Sequence, residues 1–255
     1  MKVAMLAAGV GQRLGMGENA PPKALLRMGG KTLLQRHLDI LAHFGLFELT
    51  LVVGHQAALI ERELAALGAR DRVRTRYNPD FRTSSLLSFW MLRHVFRAGE
   101  PVLYMDADVL YDWRLLERLL QSPHADCILI ARDADPDPEW VEVRIRDQRI
   151  VAFDKGVRLE DYDIRAEWVG FARFSADTAE RLALAIQRYV DRGRIDVIYE
   201  KPVRDVILET PGLFGFEDVT GLPWIEIDFP EDVVRARAEV LPRLIDLPRD
   251  TRRQS

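Results

Sequence analysis

Cysteine is nearly absent from the 255-residue sequence: the single one, Cys127, lies in the apolar run CILIA. One thiol can form neither an intramolecular disulfide nor a zinc site built from several cysteines, so we interpret Cys127 as a buried apolar residue. Long hydrophobic runs are also absent, since none reaches the roughly 18 residues of a membrane-spanning helix. The opening MKVAMLAAG is too short for a secretory signal. These absences predict a cytoplasmic protein that does not insert into a membrane.

An excess of positive charge is lacking as well. The 36 Lys and Arg residues against 40 Asp and Glu residues give a formal net charge of −4. No overall basic field is therefore available to hold nucleic acid, and an anionic ligand has to be bound by local groups. Hydrophobic residues make up 48% and charged residues 30% of the chain, which is typical of an ordinary globular protein.

The first half of the chain alternates short apolar runs with helical patterns. The runs VAMLAA, LTLVVG, VRTRYN, PVLYMDAD and DCILIARD predict strands, whereas LLQRHLDILAHFG, AALIERELAALG and RLLERLLQS predict amphipathic helices. Strands that alternate with helices of this length indicate a parallel sheet covered on both faces. We therefore predict an α/β fold with a Rossmann-like, doubly wound, mostly parallel sheet.

After Pro136 the pattern changes. EWVEVRIRDQRIVAFDKG alternates with period two around Asp147 and Gln148, which predicts a β-hairpin. AEWVGFARFS predicts another strand, and ADTAERLALAIQRYVDRG a long helix capped by Ser175. WIEIDFPEDVVRARAEVL predicts a last strand, a turn at Pro230 and a helix.

The domain organisation follows from these patterns. No internal repeat and no low-complexity linker interrupts the chain. We predict a single domain over residues 1–246, in which residues 136–165 are an insertion, followed by a flexible C-terminal tail over residues 247–255.

The segment LAAGVGQRLG places Gly9 and Gly11 directly after the first predicted strand. Glycines allow the backbone to approach a bulky ligand closely, and in open α/β sheets ligands bind beyond the carboxyl ends of the strands. Exposed amides together with Arg13 and Lys23 would form an anion site suited to phosphates. The third glycine of the dinucleotide fingerprint is missing, which disfavours a nicotinamide cofactor.

Two acidic pairs stand at predicted strand ends. Asp106 and Asp108 in YMDADVL are two residues apart and so lie on one face, where they can hold a magnesium ion. Alternatively they cap the segment that begins near Asp112, and Asp-x-Asp also occurs in glycosyltransferases that use nucleotide sugars. A second pair, Glu226 and Asp228, alternates in WIEIDFPEDV.

The combination of GVGQRL, PKAL and GK with these two pairs, in this order, is more specific than any single motif. It resembles the MobA-like and sugar-phosphate nucleotidyltransferases, the family that contains the molybdenum-cofactor guanylyltransferases. The resemblance implies a GT-A-like fold in which the loop wraps a triphosphate, with Arg13 and Lys23 as its cations. It also implies that Asp108 and Asp228 bind Mg²⁺, with Asp106 and Glu226 as supporting candidates.

Further segments narrow the resemblance. YNPDFRTSSLLSF, PEWVEV, AEWVGFARFS, IDVIYEKPVRDVI and IEIDFPED are similar to the bacterial phosphocholine cytidylyltransferases and their inositol-phosphate and aminophosphonate relatives. CTP is then the implied nucleotide, with Asn78, Ser84 and Ser85 near the cytosine base. That family has two asparagines where this chain has the two serines, which alternatively cap the helix LLSFWMLRHVF. The implied nucleotide-binding set is Leu6, Ala8, Gly9, Gly11, Arg13, Lys23, Asn78, Ser84, Ser85 and Asp106.

On the acceptor side, Trp140 matches a tryptophan that packs on the choline group in that family, where a cation over an indole gains roughly 0.5–2 kcal/mol. The negative side of the pocket would come from Asp196, Tyr199, Glu200 and Glu226. The family has tryptophan at position 199, and Trp140 and Tyr199 are alternatively core or interface aromatics. The insertion at 136–165 would then lie beside the acceptor.

The expected reaction follows from the resemblance. An oxygen of a small phosphorylated alcohol or phosphonate attacks the α-phosphorus of CTP, and pyrophosphate leaves. Arg13, Lys23 and Lys155 would be the catalytic residues, with Lys155 holding the acceptor phosphate. The alternatives are a sugar-1-phosphate or molybdopterin nucleotidyltransferase using another NTP, a glycosyltransferase, or a non-catalytic nucleotide-binding module. A homodimer is left open.

Overall fold

The structure is a computed structural model that describes residues 1–15, 17, 20–133 and 140–248. Parts of the predicted insertion and of the predicted C-terminal tail therefore lie outside the described residues. Thirteen strands are found in the described ranges: β1 Lys2–Ala7, β2 Arg27–Met28, β3 Lys31–Thr32, β4 Leu49–Val53, β5 Val73–Tyr77, β6 Val102–Asp106, β7 Val109–Tyr111, β8 Cys127–Ala131, β9 Glu142–Arg146, β10 Arg149–Asp154, β11 Ile164–Phe174, β12 Gly215–Asp218 and β13 Trp224–Glu226.

Eight α-helices are found in the same ranges: α1 Leu33–His43, α2 Ala57–Ala66, α3 Ser85–Trp90, α4 Arg93–Phe96, α5 Trp113–Gln121, α6 Ala176–Asp191, α7 Glu200–Glu209 and α8 Pro230–Arg235. The helix cap predicted at Ser175 is confirmed, because its side chain accepts a hydrogen bond from the Thr178 amide at the start of α6. The predicted helix LLSFWMLRHVF is divided into α3 and α4. In the described part of the chain, no helix combines the length and the apolar character needed to cross a bilayer.

One sheet of nine described strands organises the molecule. Its main path runs β10-β9-β11-β6-β1-β4-β5, while β8 pairs with β11 and with β12. The four strands β6, β1, β4 and β5 are parallel, and β11 joins them antiparallel to β6. Strands β4 and β8 are buried at every position, as expected for strands covered on both faces.

Neighbouring residues of each strand contribute to two separate hydrophobic cores, one on each face of the sheet. Ala4 and Tyr104 pack on one face with α3, α6 and α7, whereas Met5 and Leu103 pack on the other face with α1, α2 and α5. Because side chains of a strand alternate between faces, this division follows from the unbroken apolar runs. The prediction of a doubly wound α/β sheet is confirmed.

The predicted hairpin is also present. β9 and β10 pair antiparallel around Asp147 and Gln148, which have φ values of 48° and 59°. Positive φ at both central residues is typical of a two-residue hairpin turn. The ion pairs of Asp154 with Lys201 and Arg204, each at 2.7 Å, hold the end of this hairpin against α7. The boundaries of a single domain stay a prediction.

Strand register decides which loops meet at the carboxyl edge. Leu6 of β1 lies beside Asp106 of β6, so the glycine loop and the Asp-x-Asp segment leave the sheet next to each other. A small sheet brings a third segment there: β13 pairs with β7, Glu226 lies beside Val109, and the Ile227 amide donates to the Asp108 carbonyl at 3.1 Å.

Gly54, at the end of β4, provides a test of packing at this edge. A Cβ on Gly54 would lie 2.5 Å from the Phe81 Cβ and 2.8 Å from the Ala8 carbonyl oxygen, whereas a Cβ on Gly9 would meet nothing within 4 Å. We expect Gly54→Ala to lower the free energy of unfolding by about 1–3 kcal/mol because of overpacking. Gly9→Ala is the matched control, with a change within roughly 0.5 kcal/mol. Urea denaturation measures both, and equal stabilities would contradict the packing described.

Candidate active site

Three adjoining cavities lie beyond the carboxyl ends of β1 and β6. The loop cavity, of about 440 Å³, is lined by Gly9, Gly11 and Lys23 among others. The central cavity, of about 270 Å³, is lined by residues that include Trp168 and Glu200. It shares Arg13, Ser84, Ser85, Asp108 and Asp228 with the loop cavity. The outer cavity, of about 230 Å³, lies on the side of Trp140 and Trp224. Together they form one cleft.

The glycine loop is held in place by local geometry. Gly11 has φ 65°, a left-handed conformation that favours glycine. It is followed by a short 3₁₀ turn over Gln12–Leu14, in which Leu14 is buried. Lys23 begins a second such turn, and its side chain returns towards Gly11. The loop therefore presents Arg13 and Lys23 to the same cavity.

Three carboxylates meet opposite this loop. Asp108, Glu226 and Asp228 each offer an oxygen, and these oxygens lie within 4.8 Å of one another. The turn that carries Asp228 is fixed by Asp232, whose carboxylate accepts hydrogen bonds from the Asp228 and Phe229 amides. A set of carboxylate oxygens at this spacing is chemically suited to a hard divalent cation such as Mg²⁺.

Lys23 and Arg13 offset the negative charge of this cluster. The Lys23 ammonium donates to Asp228 at 2.5 Å and to Asp108 at 3.0 Å, and an Arg13 nitrogen lies 3.6 Å from Asp228. Burial acts to lower the pKa of Lys23, but the attraction of Asp108 and Asp228 outweighs it and the pKa is raised. Burial acts to raise the pKa of Asp228, but Lys23 outweighs it and the pKa is lowered. The pair is therefore charged.

Glu226 has the opposite electrostatics. Burial, followed by repulsion from Asp108 and Asp228, raises its pKa well above the ordinary value. The cluster therefore combines Asp228, whose charged form is stabilised, with Glu226, whose protonated form is favoured in the absence of a further cation.

Asp106 lies apart from this cluster, although it also lines the central cavity. Its two oxygens accept hydrogen bonds from the Tyr104 hydroxyl at 2.7 Å and from the Tyr199 hydroxyl at 2.5 Å. Burial and the nearby Asp108 raise its pKa. The sequence suggested Asp106 as a nucleotide ligand and a supporting metal ligand. In the structure, both of its carboxylate oxygens accept hydrogen bonds from tyrosine hydroxyls instead.

Glu200 forms part of the wall of the central cavity. Its Oε2 atom is buried and has no hydrogen-bond partner among the described residues. Burial raises its pKa to about 7. Tyr199, Lys155 and Trp168 line the same cavity. Leu6 and Ala8, which belong to the predicted nucleotide set, also line the central cavity.

Two predicted residues lie away from the cleft. Asn78 is 2% exposed; its amide donates to the Ser88 hydroxyl at 3.0 Å and accepts from the Asp80 amide at 2.9 Å. The side-chain nitrogen and oxygen of Asn78 are thus both hydrogen-bonded within the protein, so the geometry does not support a contact between Asn78 and the base. Asp196 is exposed and is not among the described residues that line the three cavities.

Trp140 lies at the cleft but in a different setting from the one expected. It lines the outer cavity, and the guanidinium of Arg165 lies over its ring at 4.8 Å from the centroid. That face of the indole is therefore covered by a cation of the protein itself, since β11 brings Arg165 beside it.

The two serines line the cleft but make internal contacts. The Ser84 hydroxyl donates to the Ile195 carbonyl at 2.5 Å, and the Ser85 hydroxyl accepts from the Tyr199 amide at 3.0 Å. Ser84 occupies the N-cap position of α3 without a side-chain cap bond in the described structure, because its hydroxyl is directed to Ile195. The capping alternative is therefore wrong for Ser84.

Sequence reasoning did not identify Tyr104, Asp232 or Trp168 as residues of the site. Tyr104 carried a weak signal, because it lies two residues before Asp106 and so on the same face of the strand. Asp232 carried another, as an acidic residue after the proline turn that opens the last helix. Trp168 is 4% exposed and still contributes to the central cavity.

Comparisons with known proteins agree with this architecture. The sequence model of one protein family, the MobA-like NTP transferase domain, matches residues 3–193 of this chain. A CMP-5'-(3-aminopropyl)phosphonate synthase of Streptomyces rubellomurinus is 29% identical over 91% of this chain and 37% of its own length. A bifunctional IPC transferase and DIPP synthase of Rubrobacter xylanophilus is 31% identical over 93% of this chain and 51% of its own. The chain thus spans about half or less of the length of these curated relatives.

A solved structure of a CTP:phosphocholine cytidylyltransferase from Streptococcus pneumoniae shares the fold. It superimposes with a TM-score of 0.72 at 21% identity, and the match covers 92% of this chain and 97% of that one. Since the family model matches most of the sequence, the chain belongs to the MobA-like NTP transferase family.

Proposed function

We propose that the protein transfers CMP from CTP to a small phosphate ester or phosphonate, with release of pyrophosphate and with a requirement for Mg²⁺. The observation that carries this proposal is the meeting of Lys23 and Arg13 with Asp108 and Asp228 across one cavity. Two of the similar proteins described above are named for CMP or CTP chemistry on phosphonate or phosphate acceptors, which favours CTP as the donor.

The loop cavity would hold the triphosphate. Gly9 and Gly11 line it without side chains, so phosphate oxygens can come close to the backbone. Arg13 and Lys23 line it as cations, and they would steady the pyrophosphate as it leaves. Ser84 and Ser85 also line it and would lie near the nucleoside.

The three-carboxylate cluster would hold the metal. Asp108 and Asp228 are the proposed ligands, and Glu226 is close enough to be a third. When bound, Mg²⁺ would orient the α-phosphate and offset its negative charge. Lys23 already donates hydrogen bonds to the same two carboxylates and lines the loop cavity, so it can interact with both the carboxylates and the phosphates.

The chemical step needs little from the protein beyond positioning. An acceptor phosphate or phosphonate carries an anionic oxygen at neutral pH, so its attack on the α-phosphorus requires no general base. The new P–O bond forms as the bond to pyrophosphate breaks. The main obstacle is repulsion between two polyanions, which Arg13, Lys23 and Lys155 would reduce by holding their oxygens.

The central cavity favours an acceptor that carries an amino group. Glu200 is an acidic residue of the cavity wall, and its Oε2 has no hydrogen-bond partner among the described residues. A carboxylate accepts hydrogen bonds from a primary ammonium, whereas a quaternary ammonium has no N–H to donate. Because the Arg165 guanidinium already lies over one face of Trp140, that face is not available to a choline group. Tyr199 and Glu226 line the same cavity, and Lys155 would hold the acid group of the acceptor. We therefore favour an aminoalkyl phosphate or phosphonate over phosphocholine.

A matrix of substrates tests this function. The protein with Mg²⁺ is incubated with each of CTP, UTP, GTP, ATP and dTTP, combined with aminoalkyl phosphonates, phosphocholine, inositol phosphate or sugar 1-phosphates, and pyrophosphate release is measured. We expect CTP with an aminoalkyl acceptor to give the highest rate. A preference for another NTP with a sugar 1-phosphate would replace the proposal, and binding without release in every combination would indicate a nucleotide-binding module.

The metal cluster generates a second prediction. We expect Asp108→Asn and Asp228→Asn each to lower kcat by roughly 100-fold or more, since each removes a charge at the reacting phosphates. Mn²⁺ binding, followed by electron paramagnetic resonance, should weaken in parallel. Asp161→Asn, on the exposed surface, is the control and should change neither. Full activity in the presence of a chelator would refute the metal requirement.

Glu200 generates a pH prediction. Because burial raises its pKa to about 7, the side chain is neutral below that value and becomes an anion above it. We therefore expect the KM for an aminoalkyl acceptor to fall as the pH rises from about 6 to about 8, as the ionised carboxylate pairs with the ammonium.

Glu200→Gln should remove most of this pH dependence and leave only the part due to the acceptor's own ionisation. Glu209→Gln, at the other end of α7 and paired with Arg188 on the surface, is the matched control and should retain it. The same pH profile in Glu200→Gln and in the unaltered protein would show that Glu200 does not bind the ammonium.

A further inference from the structure

A short segment over residues 195–199 lies directly before α7 and is tied to the nucleotide side of the cleft. Three hydrogen bonds make the connection. The Ser84 hydroxyl donates to the Ile195 carbonyl at 2.5 Å, and the Tyr199 amide donates to the Ser85 hydroxyl at 3.0 Å. The Tyr199 hydroxyl donates to Asp106 at 2.5 Å. We call residues 195–199 the tie segment.

The orientation of Tyr199 is fixed by its surroundings. The residue is 6% exposed. Its ring centroid lies 5.0 Å from that of Phe89, 5.4 Å from that of Tyr104 and 5.9 Å from that of Trp168. Packing against three other rings restricts the tyrosine ring, and in this position its hydroxyl is directed at Asp106.

Asp106 is enclosed from the opposite side as well. Gly170 of β11 has φ 84°, and a Cβ there would lie 2.7 Å from the Asp106 carboxylate. The backbone of β11 therefore approaches one carboxylate oxygen closely, while the Tyr104 hydroxyl donates a hydrogen bond to the other oxygen. Asp106 precedes Asp108 by two residues, so its position affects the segment that carries a proposed metal ligand.

We infer that Tyr199 is a positioning residue that links the acceptor end of the cleft to the metal-bearing end of β6. The inference rests on the proposed function. Tyr199 immediately precedes Glu200, the first residue of α7, so the hydrogen bond from its hydroxyl to Asp106 sets where the Glu200 carboxylate stands relative to Asp108. In this arrangement Asp106 holds the Tyr199 hydroxyl in place and is not itself a ligand of the nucleotide.

Tyr199→Phe removes only the hydroxyl and keeps the ring. Loss of a buried hydrogen bond typically corresponds to a change of up to about tenfold in an equilibrium constant. We therefore expect the KM for the acceptor to rise roughly tenfold, because Glu200 is no longer held in register. The dissociation constant for CTP, measured by calorimetry, should stay within about twofold, since no nucleotide contact is removed.

Tyr189→Phe is a closely matched control. The Tyr189 hydroxyl donates to Asp205 at 2.7 Å, and the residue is 8% exposed, but it is not among the described residues that line the cleft. Both variants lose a phenol–carboxylate hydrogen bond, so both should lose similar stability. Only Tyr199→Phe should raise the KM for the acceptor. Equal kinetics in the two variants would overturn the inference.

Ser84→Ala provides a second route if Tyr199→Phe does not fold. It releases the other end of the tie segment, and we expect the KM for the acceptor to rise as in Tyr199→Phe. An unchanged KM for the acceptor in Ser84→Ala would overturn the inference, and so would weakened CTP binding in Tyr199→Phe, which would return Asp106 to the nucleotide site. Failure of the unaltered protein to transfer CMP to any acceptor would instead refute the proposed function, so the two failures are distinguishable.

Discussion

The close approach of three carboxylates is the constraint on which the cleft depends. Asp108, Glu226 and Asp228 have oxygens within 4.8 Å of one another. Negative charges at that distance in a partly buried site would repel strongly, and this repulsion adds to burial in raising the pKa of Glu226. The Lys23 ammonium, 2.5 Å from Asp228 and 3.0 Å from Asp108, offsets this repulsion. An arrangement that is costly without cations is suited to a reaction that brings a divalent ion and a polyphosphate together.

The rest of the fold holds these charges in place. Two parallel strands, β1 and β6, end side by side and bring the glycine loop beside the Asp-x-Asp segment. The β7–β13 pair brings Glu226 and Asp228 from the far end of the sequence to the same edge. Apolar cores on both faces of the sheet make these strand ends rigid, so the loops carry the function and the sheet determines their spacing.

The central cavity is built differently, from aromatic packing and from hydrogen bonds and ion pairs between distant segments. Tyr199, Tyr104 and Trp168 form a packed cluster, and the two phenols donate to Asp106. The ion pairs of Asp154 hold the hairpin against α7. Through these contacts the hairpin, α7 and the Asp-x-Asp strand end form one wall.

The sequence by itself determined the features that lie within single segments. The alternation of apolar runs and amphipathic helices predicted the doubly wound sheet, and the Asp147–Gln148 turn predicted the hairpin. The glycine loop with Arg13 and Lys23, and the two acidic pairs, predicted which segments meet. Only the tertiary structure decided what each polar side chain contacts: Asp106 bonds to Tyr199, 93 residues away, and Ser84 to Ile195, 111 residues away. Hydrogen-bond partners are chosen by three-dimensional proximity and orientation, which local periodicity does not encode, and so the roles within each polar pair emerged only from the fold.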